Sequence, residues 1–531
     1  MMNMYLFSFS LSGLASLAII PCIVVLASRL LGMGRRPANL PPGPTTLPLI
    51  GNEHQIPKTN SQFLFMKWAK RYGGIFSLKR FDSTTLVITD RKLVKDLIDK
   101  KSNIYSHRPS SLVAHLITNS DHLLVMQYGE TWRTFRKLIH QYFMESRCEK
   151  EHWKLQEAEA VQMIHDFLVS PDLSSHHPKR YSNSITNSLV FGIRTKTVRD
   201  EYMTRLYEIM EKWSLVLEVG ATPAVDSFVL LRLLPQCLLG NWKNRALEVE
   251  RLMKSLYSDV LNKVKQRRRE GIQRNSFMDS VLDTQEKLAL SENQMVFLGG
   301  VLMEGGSDTS SSLILSLIQA MTKYPEVQAR AHAEIDAVVG SDRSPQWADF
   351  TSLPYINMMI KEVHRWRPVT PLGVSHAVAE DDEFDGMKLP KGSTVILNIW
   401  GMHHDNEHWK APEHFNPDRF TEFPSLASVY AASGAWDKRD HFGYGAGRRI
   451  CPGIHLAERN LFIAVAKLLW AFNFSEKQGT VNNISEEHGT TNGFLHSPTL
   501  YGCEVQVRSQ AKKTTIMKEM ESAKEVFAKY D

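Results

Sequence analysis

Cysteine is scarce in this chain: its 531 residues hold five, at Cys22, Cys148, Cys237, Cys451 and Cys503. An odd, scattered set does not form a disulfide framework, and it suits a body folded in a reducing compartment. No Cys-x-x-Cys or Cys/His cluster occurs, which argues against zinc. No flavin- or nicotinamide-binding fingerprint is present, so any redox role needs electrons delivered from outside the chain. Strong charge is missing too. The formal net charge of +6 is modest and widely spread, and it does not indicate a nucleic-acid partner. Internal repeats and long low-complexity tracts are absent. What remains is an ordinary globular composition, 43% hydrophobic and 23% charged, with enough length for a large core. β signal is sparse: before residue 370 the only substantial stretch is Ile75 to Thr89, with a turn at Asp82-Ser83. The expected fold is mainly α with a small β region.

Residues 5–32 are almost purely apolar and carry Arg29 as their only charge. About 20 helical residues cross a hydrocarbon core of ~30 Å, so this run is long enough to span. Arg29, Arg35 and Arg36 lie at its C-terminal end and place the body on the cytoplasmic side. A cleaved signal peptide normally starts with basic residues, which are missing here. The expectation is therefore an uncleaved anchor over residues 1–34. Pro37, Pro41, Pro42, Gly43 and Pro44 follow as a stiff hinge at 37–44. The body occupies 35–510, and 511–531 reads as a surface tail.

The most telling stretch runs Phe442-Gly-Tyr-Gly-Ala-Gly-Arg-Arg-Ile-Cys451-Pro-Gly453. Three glycines fall within nine residues of one cysteine, and an apolar-periodic helix follows. Glycine permits left-handed turns and close approach to a flat ligand. Cys451 then sits at the mouth of a helix, where backbone N–H groups, helped by Arg448 and Arg449, favour its thiolate. A lone cysteine is more often a buried structural residue. As a metal ligand it would suit a macrocycle that brings its own four nitrogens, and haem meets that requirement.

Ser291-Glu292-Asn293-Gln294 reads as a capping box opening a helix that continues to Lys323, before Pro325. It is apolar on nearly every side. Glu304 and Asp308 in its middle would be costly against lipid, so it should cross the protein interior. Gly305-Gly306-Ser307-Asp308-Thr309 interrupts the apolar run. Mid-helix glycines cost roughly 1 kcal/mol each relative to alanine, so function or close packing should compensate. An acid beside an alcohol can relay protons. Elsewhere, Trp132 and Arg136 share a helix face, as do Glu362 and Arg365, and Pro417-Asp418-Arg419-Phe420 follows later.

Taken together these motifs resemble the cytochrome P450 family, of the microsomal, membrane-anchored type and close in flavour to fungal biosynthetic members. The Cys451 loop is similar to the family's haem-thiolate loop. Tyr444 stands where the family usually has Phe, and Phe442 lies two residues earlier. The resemblance implies haem b with Cys451 as axial ligand. Trp132, Arg136, His376 and Arg449, with Gly305, Gly306, Gly447 and Gly453, would contact the cofactor. Asp308 and Thr309 would deliver protons on the distal side. Glu362, Arg365 and Arg419 would form a scaffolding triad. Val369, Thr370, Leu372, Val374, Phe494 and Leu495 would lie along the substrate. The implied reaction inserts one oxygen atom of dioxygen into a lipophilic small molecule. Electrons would come from NADPH through a separate reductase, to which Arg133 and Lys137 offer a basic docking surface. The implied location is the endoplasmic reticulum membrane, single-pass, with the body in the cytosol. Two rivals stay open at this point: a dioxygen-independent isomerase or dehydratase using the same haem, and a membrane-anchored haem-binding protein without turnover.

Overall fold

The computed structural model describes residues 32–217 and 222–530. The expected anchor, residues 1–34, lies outside the described residues apart from its last three positions. Among the described residues no helix is long and apolar enough to cross a membrane.

Helices dominate. In chain order the longer ones are α1 (Ser61–Tyr72), α2 (Leu112–Thr118), α3 (Glu130–Phe143), α4 (Trp153–Val169), α5 (His177–Phe191), α6 (Glu201–Leu217), α7 (Trp242–Arg269), α8 (Phe277–Leu288), α9 (Glu292–Lys323), α10 (Pro325–Val338), α11 (Pro354–Trp366), α12 (Ile454–Ala471) and α13 (Gln510–Phe527). The strands are β1 (Ile75–Arg80), β2 (Ser83–Ile88), β3 (His376–Ala377), β4 (Asp382–Phe384), β5 (Met387–Leu389), β6 (Thr394–Leu397), β7 (Phe472–Glu476) and β8 (Cys503–Val507). One four-stranded sheet has the order β1-β2-β6-β3. Its hairpin β1–β2 pairs Ile75 with Ile88, and β2 then runs parallel to β6.

α9 is the spine. Ser291 accepts from the Gln294 N–H while the Gln294 side chain accepts from Ser291 N–H, closing the expected capping box. Its 32 residues extend about 48 Å. Met295, Phe297, Leu298, Ile314 and Leu317 are buried, so the helix lies inside the body and packs closely along α5. Polar residues of α5 are buried against it; Asn183 donates to Ser307 Oγ at 2.9 Å.

The proline-rich segment is fastened rather than free. Ser77 N–H on β1 donates to the Pro42 carbonyl at 2.8 Å, and Arg36 reaches the Gly43, Pro44 and Ser77 carbonyls. A β-carbon on Gly43 would lie 2.2 Å from the Ser77 oxygen, so only glycine fits that crossing.

The C-terminal end differs from the expected surface tail. α13 docks on α4, where Ala158 and Val161 meet Ala523 and Phe527 in a small apolar cluster. The Arg194 guanidinium lies 3.4 Å from the centre of the Phe527 ring. Mixed charges hid this short apolar stripe in the sequence.

The three expected scaffolding residues meet. Arg365 on α11 makes a two-pronged pair with Glu362, 2.7 Å on each arm, and donates to the carbonyls of His403, Pro412 and His414. Arg419 approaches Glu362 at 3.4 Å, and the Asn416 N–H fills Glu362 Oε1 at 2.8 Å. Glu362 and Arg365 are fully buried. A buried pair is a poor stabiliser as a whole, but removing one partner strands the other charge. Arg365→Met should therefore lower unfolding stability by about 3–5 kcal/mol, read as a shift of the urea midpoint at unchanged slope. A loss under 1 kcal/mol would show that Glu362 is not held as a buried charge.

Candidate functional site

The loop before α12 is shaped by backbone geometry. Gly445 and Gly447 adopt positive φ, +76° and +62°. A β-carbon on Gly447 would lie 2.5 Å from the Ile98 carbonyl oxygen, and its N–H donates to Asp99 at 2.7 Å. Arg439 clamps the loop from below by donating to the His441 and Gly445 carbonyls. Cys451 N–H donates to the Tyr444 carbonyl at 2.8 Å, and Gly453 caps α12. The sulfur therefore sits just before a helix start, as the sequence suggested.

The source of positive charge differs from expectation. Arg448 points to Ser102 and the Tyr128 hydroxyl. Arg449 donates to the carbonyls of Ser106, Leu123 and Met126. Neither serves the sulfur; Arg136 does. Burial pushes the Cys451 thiol up, while the Gly453 N–H and then Arg136 pull it down. Gly447–Arg449 forms a short 3-10 turn that aims both arginines at other segments, which is why neighbours in sequence are not neighbours of the sulfur.

Above Cys451 lies a cavity of about 340 Å³. Trp132, Arg136, His376, Arg449, Gly305, Gly306, Thr309, Gly453 and Cys451 all border it, as do Val369, Thr370, Val374, Phe494 and Leu495. Three expected residues are absent from its wall. Gly447 turns away from it, with its α-carbon against the Ile98 carbonyl and its N–H on Asp99. Leu372 is the third residue of a turn closed by Gly373 N–H to the Thr370 carbonyl, and it packs with Phe65 and Phe76 instead. Asp308 faces Lys179 and Tyr207, behind α9; burial raises its carboxyl above the usual range and Lys179 opposes this. Successive helical residues point about 100° apart. Thr309 borders the cavity, where its hydroxyl donates to the Gly305 carbonyl at 2.8 Å, while Asp308 points to the α5 and α6 side.

The two glycines also divide. A β-carbon on Gly305 would meet nothing within 4 Å, so its space belongs to the cavity. One on Gly306 would lie 2.4 Å from Thr186 Oγ1, so that glycine serves the packing of α9 on α5.

One side of the cavity is cationic. The Arg136 and Arg449 guanidinium carbons lie 5.5 and 4.6 Å from the Trp132 ring centre. Arg108, which the sequence reading missed, donates to the Leu124, Val374 and Ser375 carbonyls and borders the same space. Burial lowers all three, with Arg449 pushed down to about 9. His376 donates from Nδ1 to the Tyr105 carbonyl at 2.7 Å; burial and then Arg108 push it down to about 3, so the ring is neutral. Among the described residues no carboxylate pairs with Arg108, Arg136 or Arg449. The buried Trp132 Nε1–H also has no partner. Unmatched buried donors beside three cations require an anionic acceptor. A flat group carrying carboxylates over Cys451 meets that demand, so the residues present fit haem.

The cavity also holds a group that sequence reasoning did not assign. Glu304 is buried on α9 and borders the cavity, bonded to His122 and Tyr257. In the sequence it signalled only that α9 belongs inside the protein. Its partners come from a loop and from α7, too far away in sequence for any motif to link them.

Comparisons with known proteins agree with this geometry. A family model described as Cytochrome P450 matches residues 41–505. The Cytochrome P450 monooxygenase patI of Aspergillus clavatus is 68% identical, covering 98% of this chain and 97% of that protein. The Cytochrome P450 monooxygenase acuD of Aspergillus aculeatus is 67% identical, covering 97% and 98%. The Cytochrome P450 monooxygenase atE of Aspergillus terreus is 62% identical, covering 98% and 97%. A solved zebrafish cytochrome P450 structure with abiraterone superposes with a TM-score of 0.67 at 24% identity, over 84% of this chain and all of that one; at that identity it speaks for the fold alone. A cysteine loop under a cavity that lacks only an anionic flat ligand, and a family match over nearly the whole body, lead to one conclusion: this chain belongs to the cytochrome P450 family.

Proposed function

We propose that the protein is a membrane-associated haem monooxygenase of fungal secondary metabolism, inserting one oxygen atom of dioxygen into a lipophilic small molecule. The observation that carries this reading is Cys451 and Thr309 bordering one largely apolar cavity, whose guanidinium groups have no carboxylate partner among the described residues and whose Trp132 N–H is unpartnered. Haem, when bound, supplies dioxygen activation, with a cysteine thiolate favouring O–O cleavage. The chain's own residues do the rest. Cys451 would ligate the haem, Arg136 and Arg449 would neutralise its carboxylates, and the Trp132 Nε1–H would donate to one of them. Thr309 holds a hydroxyl at the cavity face while its proton rests on the Gly305 carbonyl, so its oxygen is free to accept and pass on a proton. Asp308 lies behind it, beside Lys179, off the cavity wall. Val369, Val374, Phe494 and Leu495 exclude water from the substrate.

Electrons come from NADPH through a separate reductase; exposed Arg133 and Lys137 on α3 lie on the solvent side of the helix that carries Trp132 and Arg136. Membrane association is supported by one apolar face. Leu230, Leu233 and Leu238 are 77%, 80% and 73% exposed. They adjoin Phe228, whose ring packs on Phe81. Phe81 accepts from Gly34 N–H, and Met33 accepts from Leu49 N–H on the exposed Leu47–Leu49 loop. The chain leading into the apolar 5–32 segment thus emerges on that same face, which fits an anchor in the endoplasmic reticulum membrane with the body in the cytosol.

Cys451→Ser should abolish the ferrous–carbonyl absorption signature of thiolate ligation and all product formation, in protein expressed with a reductase. An unchanged carbonyl spectrum would end this reading. Thr309→Val should keep haem and thiolate signature but cut product per NADPH consumed by about tenfold or more. Equal coupling in both proteins would remove Thr309 from proton delivery.

A further inference from the structure

The cavity carries a polar fixture on its otherwise apolar upper wall, and cofactor binding gives it nothing to do. Glu304 is 5% exposed and His122 fully buried. His122 Nδ1 accepts from Leu124 N–H at 3.3 Å, so the ring's proton resides on Nε2, which donates to Glu304 Oε2 at 3.1 Å and Oε1 at 3.2 Å. The Tyr257 hydroxyl donates to Oε1 as well. A β-carbon on Gly300 would lie 2.3 Å from the Tyr257 ring, so this glycine, one turn before Glu304, admits the ring that orients the carboxylate. Trp213 and Phe297 pack around the imidazole, with ring centres 5.9 and 6.2 Å away. Three elements thus converge to hold one side chain still.

A carboxylate offers about four lone-pair positions. Oε1 has two donors, whereas Oε2 receives only the shared His122 N–H. The remaining capacity is available to a donor in the cavity that Glu304 borders. The donor's chemistry follows from its surroundings. Arg108 borders the same space, which disfavours an ammonium ligand, and Glu304 itself repels a carboxylate. A neutral O–H group is left. A group held there lies near the proton-relay hydroxyl: Thr309 is five positions on from Glu304, about 7.5 Å along the helix axis. One six-membered ring spans that gap.

Resting on the monooxygenase reading above, we propose that Glu304, oriented by His122 and Tyr257, is the specificity-determining acceptor for a hydroxyl group on a compact, single-ring substrate, a phenol or an alcohol. It fixes which carbon faces Thr309. Neither substrate-contact motif read from the sequence includes it.

The test measures dissociation constants from the ligand-induced shift of the haem absorption band, on the purified, haem-loaded full chain. Ligands are near-isosteric pairs: phenol with fluorobenzene, benzyl alcohol with ethylbenzene, cyclohexanol with methylcyclohexane. In the wild type the hydroxyl member of at least one pair should bind about tenfold or more tightly, as a hydrogen bond to a charged acceptor implies. Glu304→Leu should reduce that ratio to about one, and Glu304→Gln, which keeps an uncharged carbonyl, should give an intermediate ratio. Tyr257→Phe, which removes a donor and leaves the carboxylate, should preserve the preference. A wild-type ratio near one for every pair, or an unchanged ratio in Glu304→Leu, would overturn the proposal while leaving haem binding intact. Absence of thiolate-bound haem in the wild type would instead bring down the monooxygenase reading itself, so the two failures are separable. Should Glu304→Leu not fold, the wild-type ratio and the Tyr257→Phe ratio still decide.

Discussion

Everything in this body is arranged around a sulfur that cannot hold its charge alone. Burial drives the Cys451 thiol upward, and only the Gly453 N–H and Arg136 oppose it. A bound metal cation removes that conflict, because a coordinating thiol is deprotonated outright. The protein therefore has to keep the sulfur in position without relying on its charge. It does so through the loop's backbone groups: Cys451 N–H on the Tyr444 carbonyl, the Gly447 N–H on Asp99, and Arg439 holding two carbonyls of the same loop. Below it, the Glu362–Arg365 pair spends its hydrogen bonds on carbonyls from residues 403 to 414 and so fixes the chain that leads toward the loop.

The helical period explains why the acid and the alcohol of α9 part company. Thr309 takes the cavity, and Asp308, about 100° around, takes the side toward Lys179 and Tyr207. A carboxyl in the cavity at that turn would stand close over the sulfur, where a second negative group is least welcome. Placed behind the helix, it does not compete with the thiolate. Glu304 is tolerated on the cavity wall because it lies farther along the axis and receives two fixed donors.

Much of this was legible in the sequence, and the exceptions share a cause. The capping box of α9, the hairpin at 75–88, the Cys451 loop and the Glu362-x-x-Arg365 pair are local patterns, and local patterns survive in one dimension. Arg108 was not legible, because its role comes from carbonyls at 124, 374 and 375. Leu372 was misplaced because one turn residue decides which side of the chain it faces. Gly305 and Gly306 look alike in sequence, yet one leaves space for a ligand and the other for Thr186. α13 was read as a loose tail because its apolar stripe is short and its partner lies on α4, more than 300 residues earlier.

The cavity is bordered by both signs of charge, and this constrains what can fill it. Arg108, Arg136 and Arg449 border it together with the unpartnered Trp132 N–H; Glu304 borders it too; the rest of the lining is mostly apolar. Each sign alone would be costly, since unmatched buried charge disfavours folding by several kcal/mol. Two occupants relieve both at once. A cofactor with carboxylates answers the arginines, and a neutral molecule with one hydroxyl answers the glutamate. Neither can take the other's place: carboxylates against Glu304 repel, and a single hydroxyl does not neutralise three guanidinium groups. Occupancy is thereby ordered in space, with the apolar remainder left for the carbon that is to be oxidised. In this chain the position of attack follows from where two opposite charges were buried, rather than from the close fit of an apolar wall.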